Sequence, residues 1–393
     1  MKLPNGFLAC GIRSGIRRKR PDLAVISAPD GAHAAAIFTT NRFQAAPVVL
    51  SKAALKKSEG RVRVAVINAG CANAVTGKEG MDAAKRVRSR AAQIFACPEE
   101  EVFMASTGVI GVVLPDAKVR AALPDAAIKL SAGGLDAASH AILTTDIGPK
   151  VAQATYTWKG KRGRIVGVAK GAGMIHPNMA TMLAFIMTDA PASPRFLKEV
   201  LVESAKTSFN SISVDGDTST NDSVLLLASG KLGGPEMTRL QEASSFLSAL
   251  EKVCRDLAWM IVRDGEGATR VMELEVAGAR TLREAKLAAH AVATSPLVKT
   301  ALHGGDPNWG RILAAVGRSG ARFSTRKISM HAGPIALVRN GDPVAYREKD
   351  AAKVFSRERE PIRIDLGSGS VSTVMLVSDL GHDYVSLNAD YRS

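Results

Sequence analysis

The chain has 393 residues, 46% hydrophobic and 23% charged, the balance of a globular protein long enough for two domains or one two-lobed one. No stretch approaches the ~18 apolar residues of a membrane helix, and the N-terminal MKLPNGFLACGIRSG lacks the apolar core of a signal peptide; a cytoplasmic protein with no membrane partner is expected. Cys10, Cys71, Cys97 and Cys254 show no CxxC spacing and the seven His form no HxxxH pair, which argues against a disulfide scaffold and against a metal site.

The formal net charge is +15, which admits a nucleic-acid binder. The basic residues are dispersed, however, and the densest cluster, Arg17-Arg18-Lys19-Arg20, has no interleaved aromatics to stack on bases. A solvated basic surface that also draws in anionic substrates is the preferred reading.

In chain order, Leu23–Ile26, Ala34–Phe38 and Pro47–Leu50 read as short strands. Val62, Val64 and Val66 alternate with polar or small neighbours as a half-buried strand, ending in a small-residue loop from Asn68 to Asn73. Met81, Ala84, Val87, Ala91 and Ile94 recur at helical spacing. Val102–Ala105 is a strand, followed by a turn, Ser106 to Gly111, with a hydroxyl and exposed backbone N–H groups. Ala137–Leu143 reads as helix end or strand, and precedes Thr144-Thr145-Asp146. Residues 151–169 form a hairpin turning at Lys159-Gly160-Lys161.

The stretch from Lys170 to Ala190, KGAGMIHPNMATMLAFIMTDA, joins a turn-prone polar half to an apolar strand, Met182–Met187. Thr181 stands at the seam after the small Ala180. A threonine hydroxyl is a weak nucleophile that needs a base. An N-terminal threonine carries its own: the α-amine, with a reference pKa of about 7.7–8.0. An internal threonine gains that amine only if the bond before it is cut, which its hydroxyl can do by attacking the Ala180 carbonyl.

Further along, Leu197, Leu201, Ala205 and Phe209 mark an amphipathic helix. Asn210 to Ser223, NSISVDGDTSTNDS, lacks the EF-hand spacing and terminal Glu and reads as a polar loop beside an active site. Val224–Leu227 is a strand, and Leu247 to Ile261 a long helix ending in Asp264-Gly265-Glu266-Gly267. Met272 to Val276, Ile362 to Leu366 and Val374–Val377 are strands. Gly305 to Arg311 reads as a tight turn over a packed Trp309. Strands, hairpins and helices mixed in this way indicate α+β layers and not a doubly wound sheet, and no GxGxxG follows a strand to mark a dinucleotide site.

The segments KGAGMIHPNMATML, INAGCANAVTG, TTD, VDGDTSTND, DGEGAT and DPNWGR resemble those of the ArgJ family, the glutamate N-acetyltransferases (ornithine acetyltransferases) of arginine biosynthesis. The resemblance covers nearly the whole chain and is loosest over the first forty residues. It implies a helix–sheet–sheet–helix sandwich of N-terminal-nucleophile type, and self-cleavage between Ala180 and Thr181 into an α chain (1–180) and a β chain (181–393) that form one two-lobed catalytic unit. It makes Thr181 the nucleophile and Thr107 and Gly108 the oxyanion donors. By the same resemblance Thr144, Lys170, Thr181, Glu266, Asn388 and Ser393 contact substrate; the family often ends in Thr, and Ser keeps the hydroxyl.

The implied reaction is a ping-pong transfer of acetyl from N-acetylornithine to glutamate, giving ornithine and N-acetylglutamate, with no cofactor. The sequence leaves open acetyl-CoA as a further donor. Assembly as a heterotetramer of two α and two β chains, with no nucleic-acid partner, is also implied. Two other readings stay in view: an autoprocessed amidase or aminopeptidase with water as acceptor, and a nucleic-acid binder.

Overall fold

In the computed structural model, which describes residues 2–176 and 182–390, a short strand β1 (Leu8–Ile12) pairs with a long one, β2 (Leu23–Phe38). The two expected strands at 23–26 and 34–38 are the ends of this one element. A register shift between Ser27 and Ala32 carries β2 past Asp30 and Gly31 without a break. The third, Pro47–Leu50, is instead the start of helix α1 (Ala46–Lys57). Pro47 occupies the first turn, where no N–H is needed, and the Ala, Leu and Lys residues after it are strong helix formers. A four-residue apolar run does not by itself separate strand from helix.

Next come β3 (Arg61–Cys71), α2 (Gly77–Ile94), β4 (Val102–Val109), α3 (Asp116–Lys129) and α4 (Leu135–Ala141). The expected loop at 68–73 and turn at 106–111 begin as paired strand ends: Asn68 to Gly70 run beside Ser106 to Gly108, and the register slips only at Gly70 and Cys71. β5 (Lys150–Trp158) and β6 (Lys161–Lys170) form the expected hairpin. Its turn residues, Lys159 and Gly160, both have positive φ, the requirement of a type I′ turn.

β7 (Leu183–Thr188), α5 (Pro194–Lys206), β8 (Ile212–Ser213), β9 (Ser223–Ala228) and α6 (Ser244–Arg263) follow. The first sheet runs β4-β3-β2-β9-β7-β6-β5, with β1 on β2. β4 and β6 are five places apart in that order, about 24 Å in a flat sheet at 4.8 Å per strand. Yet Lys170 on β6 donates to Thr107 Oγ1 on β4 at 3.3 Å. The sheet is therefore folded over on β2, so its two halves face each other.

Alternation along the strands agrees. Ile26, Ile67 and Phe103 share one buried cluster with Val168, Phe185 and Leu225, the sheet-on-sheet interior. Their neighbours Val25, Val66 and Met104 pack outward with α2 and α3. On the other half, Ile165, Ile186 and Leu226 pack outward with α5 and α6. This is the expected helix–sheet–sheet–helix sandwich. Each fully buried large side chain in it stabilises the fold by about 1.5–3 kcal/mol.

The rest of the chain builds a second lobe: β10 (Val271–Ala279), α7 (Leu282–Ala293), α8 (Pro296–Gly304), α9 (Trp309–Gly317), β11 (Ser329–Ala332), β12 (Ile335–Arg339), β13 (Asp342–Pro343), α10 (Glu348–Phe355), β14 (Arg359–Asp365), β15 (Val371–Ser378) and α11 (His382–Asp390). Its sheet runs β13-β12-β11-β14-β10-β15-β8. Met272, Leu274 and Val276 face the lobe's helices, while Glu273 and Glu275 face outward to Arg359 and Arg363 at 2.7 and 3.0 Å. The expected turn at 305–311 is in part the start of α9: Asn308 Oδ1 caps it by accepting from Arg311 N at 3.1 Å, and Trp309 packs on the lobe's core. β8 joins this second sheet, so the polar stretch between β8 and β9 runs where the lobes meet. Among the described residues no helix is long and apolar enough to cross a membrane.

Candidate active site

A cavity of about 150 Å³ opens between the lobes, small beside the roughly 300–1,000 Å³ typical of ligand pockets and suited to a single amino acid. Thr107, Gly108, Thr144, Lys170, Glu266 and Asn388 all line it. Residues far apart in the chain thus converge on one space. Ala180, Thr181 and Ser393 lie outside the described residues. The nearest described neighbours of the seam are His176 and Met182; Met182 is buried and its N–H donates to Asp222 Oδ1 at 3.0 Å.

Thr107 and Gly108 close β4. Gly108 has φ +128, and a Cβ there would lie 2.4 Å from the Gly70 carbonyl carbon, so no other residue fits without moving β3. Thr107 is buried, with its Oγ1 accepting from Lys170 Nζ at 3.3 Å.

Lys170, at the end of β6, is likewise buried. Its ammonium donates to Thr144 Oγ1 at 2.7 Å and lies 3.7 Å from Asp146 Oδ2. Burial pushes the Lys170 pKa down and the Asp146 carboxylate opposes that shift. Asp146 itself accepts from Gly171 N at 2.6 Å, Thr144 N at 2.9 Å and Lys150 Nζ at 2.7 Å. Its own burial favours the neutral acid, but Lys170 and Lys150 outweigh it and hold the carboxyl well below the usual range. Lys150 is shared with Asp264. Two cations and two carboxylates make a balanced buried set, as burial of charge demands.

Glu266 sits in the loop after α6. Its N–H donates to Ala172 O at 2.9 Å, and its carboxylate lies over Gly173, where a Cβ would come within 2.5 Å of Oε2. Asn388 of α11 donates to that oxygen at 2.9 Å. Beside them Asp215 accepts from Met174 N at 2.5 Å and Ile175 N at 2.9 Å, and from the Tyr384 hydroxyl at 3.3 Å. Met174 has φ +58, a left-handed conformation that Asp215 holds in place. Burial raises the Asp215 pKa to about 6, against the backbone donors that favour its charge.

Sequence reasoning did not single out several residues of this site, among them Arg17, Asp146, Asp215 and Tyr384. Arg17, assigned to a solvated basic turn, lines the cavity and donates to Leu143 O at 2.6 Å; Asp22 clamps its loop by accepting from Ser14 N and Arg17 N. Asp146 carried a signal in the Thr-Thr-Asp triplet, but only its threonine was singled out. Asp215 lay within the stretch read as a polar active-site loop, without being distinguished there. Tyr384 gave none.

A folded-over α+β sandwich with hydroxyl, amide, ammonium and carboxylate groups converging on a small cavity between lobes is an enzyme scaffold. The chain belongs to the ArgJ family, whose model matches residues 8–393. It is 46% identical over 393 residues to the arginine biosynthesis bifunctional protein ArgJ of Chlorobaculum tepidum, covering 99% of this chain and 96% of the relative. It is 42% identical over 390 residues to that of Caulobacter vibrioides, covering 98% and 97%. A crystal structure of arginine biosynthesis bifunctional protein argJ from Bacillus halodurans superposes with a TM-score of 0.51 at 39% identity, over 53% of this chain and 98% of that one.

Proposed function

We infer that this protein is a glutamate N-acetyltransferase of arginine biosynthesis, moving acetyl from N-acetylornithine to glutamate. The observation that carries this is the family match from residue 8 to the last residue, over a chain whose site residues meet in one cavity.

The chain first cuts itself before Thr181. The Bacillus structure is matched almost end to end by about half of the present chain, the proportion expected of a fragment starting there, which supports the reading. Thr181 Oγ then attacks the acetyl carbonyl while its α-amine takes the proton. The Thr107 hydroxyl and Gly108 N–H face the tetrahedral oxyanion, donors fixed in advance by β4. Collapse expels ornithine and leaves acetyl on Thr181; the glutamate amine takes it up by the reverse steps. Glu266, tied to Asn388, offers a carboxylate to the ornithine ammonium. Arg17 places a cation on the cavity wall for a substrate carboxylate. Ser393 adds a hydroxyl from the tail. No cofactor takes part; acetyl-CoA enters, if at all, as a second donor to the same Thr181. The two fragments assemble as two α and two β chains.

The test is to supply N-acetylornithine with and without glutamate. N-acetylglutamate formed in step with ornithine is the expected result. Acetate released at the same rate without glutamate would make the protein an amidase instead.

A further inference from the structure

The buried ion set at the cavity floor links Asp146 to Lys170 and Lys170 to Thr107. An ammonium has donors and no acceptor. Thr107 Oγ1 must therefore accept from Lys170 Nζ, and its own proton has to point elsewhere. Thr107 lines the cavity, so the space open to that proton is the one in which an oxyanion would form. The direction of the Thr107 hydroxyl thus depends on Lys170 being charged and being held where it is.

Lys170 is held by Thr144 Oγ1 and by the Asp146 carboxylate. Asp146 is in turn fixed by the backbone N–H groups of Thr144 and Gly171, one on each carboxylate oxygen. Lys150 donates to the other oxygen of the same carboxylate at 2.7 Å and is itself shared with Asp264, which leaves Oδ2 facing Lys170.

We propose that Asp146 is a positioning residue for acetyl transfer: it seats the Lys170 ammonium against Thr107, so that Thr107 accepts from Lys170 and gives its own proton to the oxyanion. The proposal rests on the reading of Thr107 as an oxyanion donor. The titratable groups facing Lys170 are Asp146, Lys150, Glu266 and Arg17, together with Asp222, whose own burial raises its pKa and favours the neutral acid. Of these, Asp146 supplies the largest support for the charged form against the burial that opposes it. Removing its charge therefore makes Lys170 lose its proton at lower pH than in the parent protein. Neutral Lys170 can accept from Thr107, and the hydroxyl then turns away from the oxyanion.

The experiment compares Asp146→Asn with the parent, with rates expressed per cleaved chain and measured from pH 6 to 9. The expected result is a fall in kcat of about tenfold to a hundredfold, part of the roughly 10²–10³ that loss of one oxyanion donor costs, with a much smaller change in KM. The loss should shrink toward low pH and deepen toward high pH. In a Thr107→Val background, Asp146→Asn should cost no more than about threefold further, since residues acting through one group are not additive. A loss of equal size at every pH, or full additivity with Thr107→Val, would overturn the proposal and leave Asp146 a structural anchor. If Asp146→Asn does not fold, Asp146→Glu, which keeps the charge but moves it, replaces it: its loss should be the same at every pH and again no more than about threefold further in the Thr107→Val background, and full additivity there contradicts the proposal. Thr107→Val tested by itself judges the underlying reading separately, because a normal kcat there removes the oxyanion role whatever Asp146 does.

Discussion

Asn388 donates to Glu266 Oε2 at 2.9 Å, so the C-terminal helix is tied to the loop that follows α6 across 122 residues of chain. Tyr384, one turn earlier in α11, makes the same kind of contact with Asp215 at 3.3 Å. Through these two residues α11 is a wall of the cavity.

Deleting residues 388–393 should therefore abolish transfer to glutamate while leaving self-cleavage largely intact. Cleavage needs groups around the seam and the donors at 107 and 108, whereas transfer also needs polar partners for a small zwitterion. Electrophoresis and a transfer assay on the same sample check this. Unchanged transfer kinetics in the truncated protein would remove Asn388 and Ser393 from the site.

Thr107→Ala should lower kcat by about 10²–10³ with little change in KM. Gly108→Val should do at least as much damage, because its Cβ would meet the Gly70 backbone at 2.4 Å and push the amide out of line. Steady-state kinetics separates the two parameters; a variant altered only in KM speaks for a binding role.

Asp215→Asn tests the half of the site that holds the glycine-rich loop. In the parent, burial lifts the Asp215 pKa above the ordinary carboxylate value to about 6, so the folded state binds the proton more tightly than the unfolded one. Its contribution to stability is fully present below about pH 4 and is lost as pH rises through about 6. The difference in Tm between parent and variant should change over that window and level off above it. A difference independent of pH from 4 to 7 contradicts the assignment.

Much of this was legible in the sequence because it is local. The hairpin at 151–169 was marked by its Lys159-Gly160-Lys161 turn, and β7 by its continuous apolar run. What failed was either ambiguous or long-range. Pro47–Leu50 has a strand-like composition and only the residues after it make it helical. The folding-over of the sheet depends on a register shift inside β2 and on which strands pair, neither of which has a local signature. Arg17 and Asp146 read as ordinary charges until β6 brings Lys170 beside one and Leu143 receives the other. The family motifs pointed to six residues that line the cavity but not to the buried charges behind them.

The central claim is that Thr181 carries the acetyl group between two substrates. Intact-mass measurement of the purified protein after brief exposure to N-acetylornithine, without glutamate, tests it most directly. The account expects two fragments with a break before Thr181, the larger gaining one acetyl group and losing it again when glutamate is added, with N-acetylglutamate formed in equal amount. A single uncut chain that still transfers acetyl, or two fragments that transfer it with no acetyl ever found on the one beginning at Thr181, would contradict it.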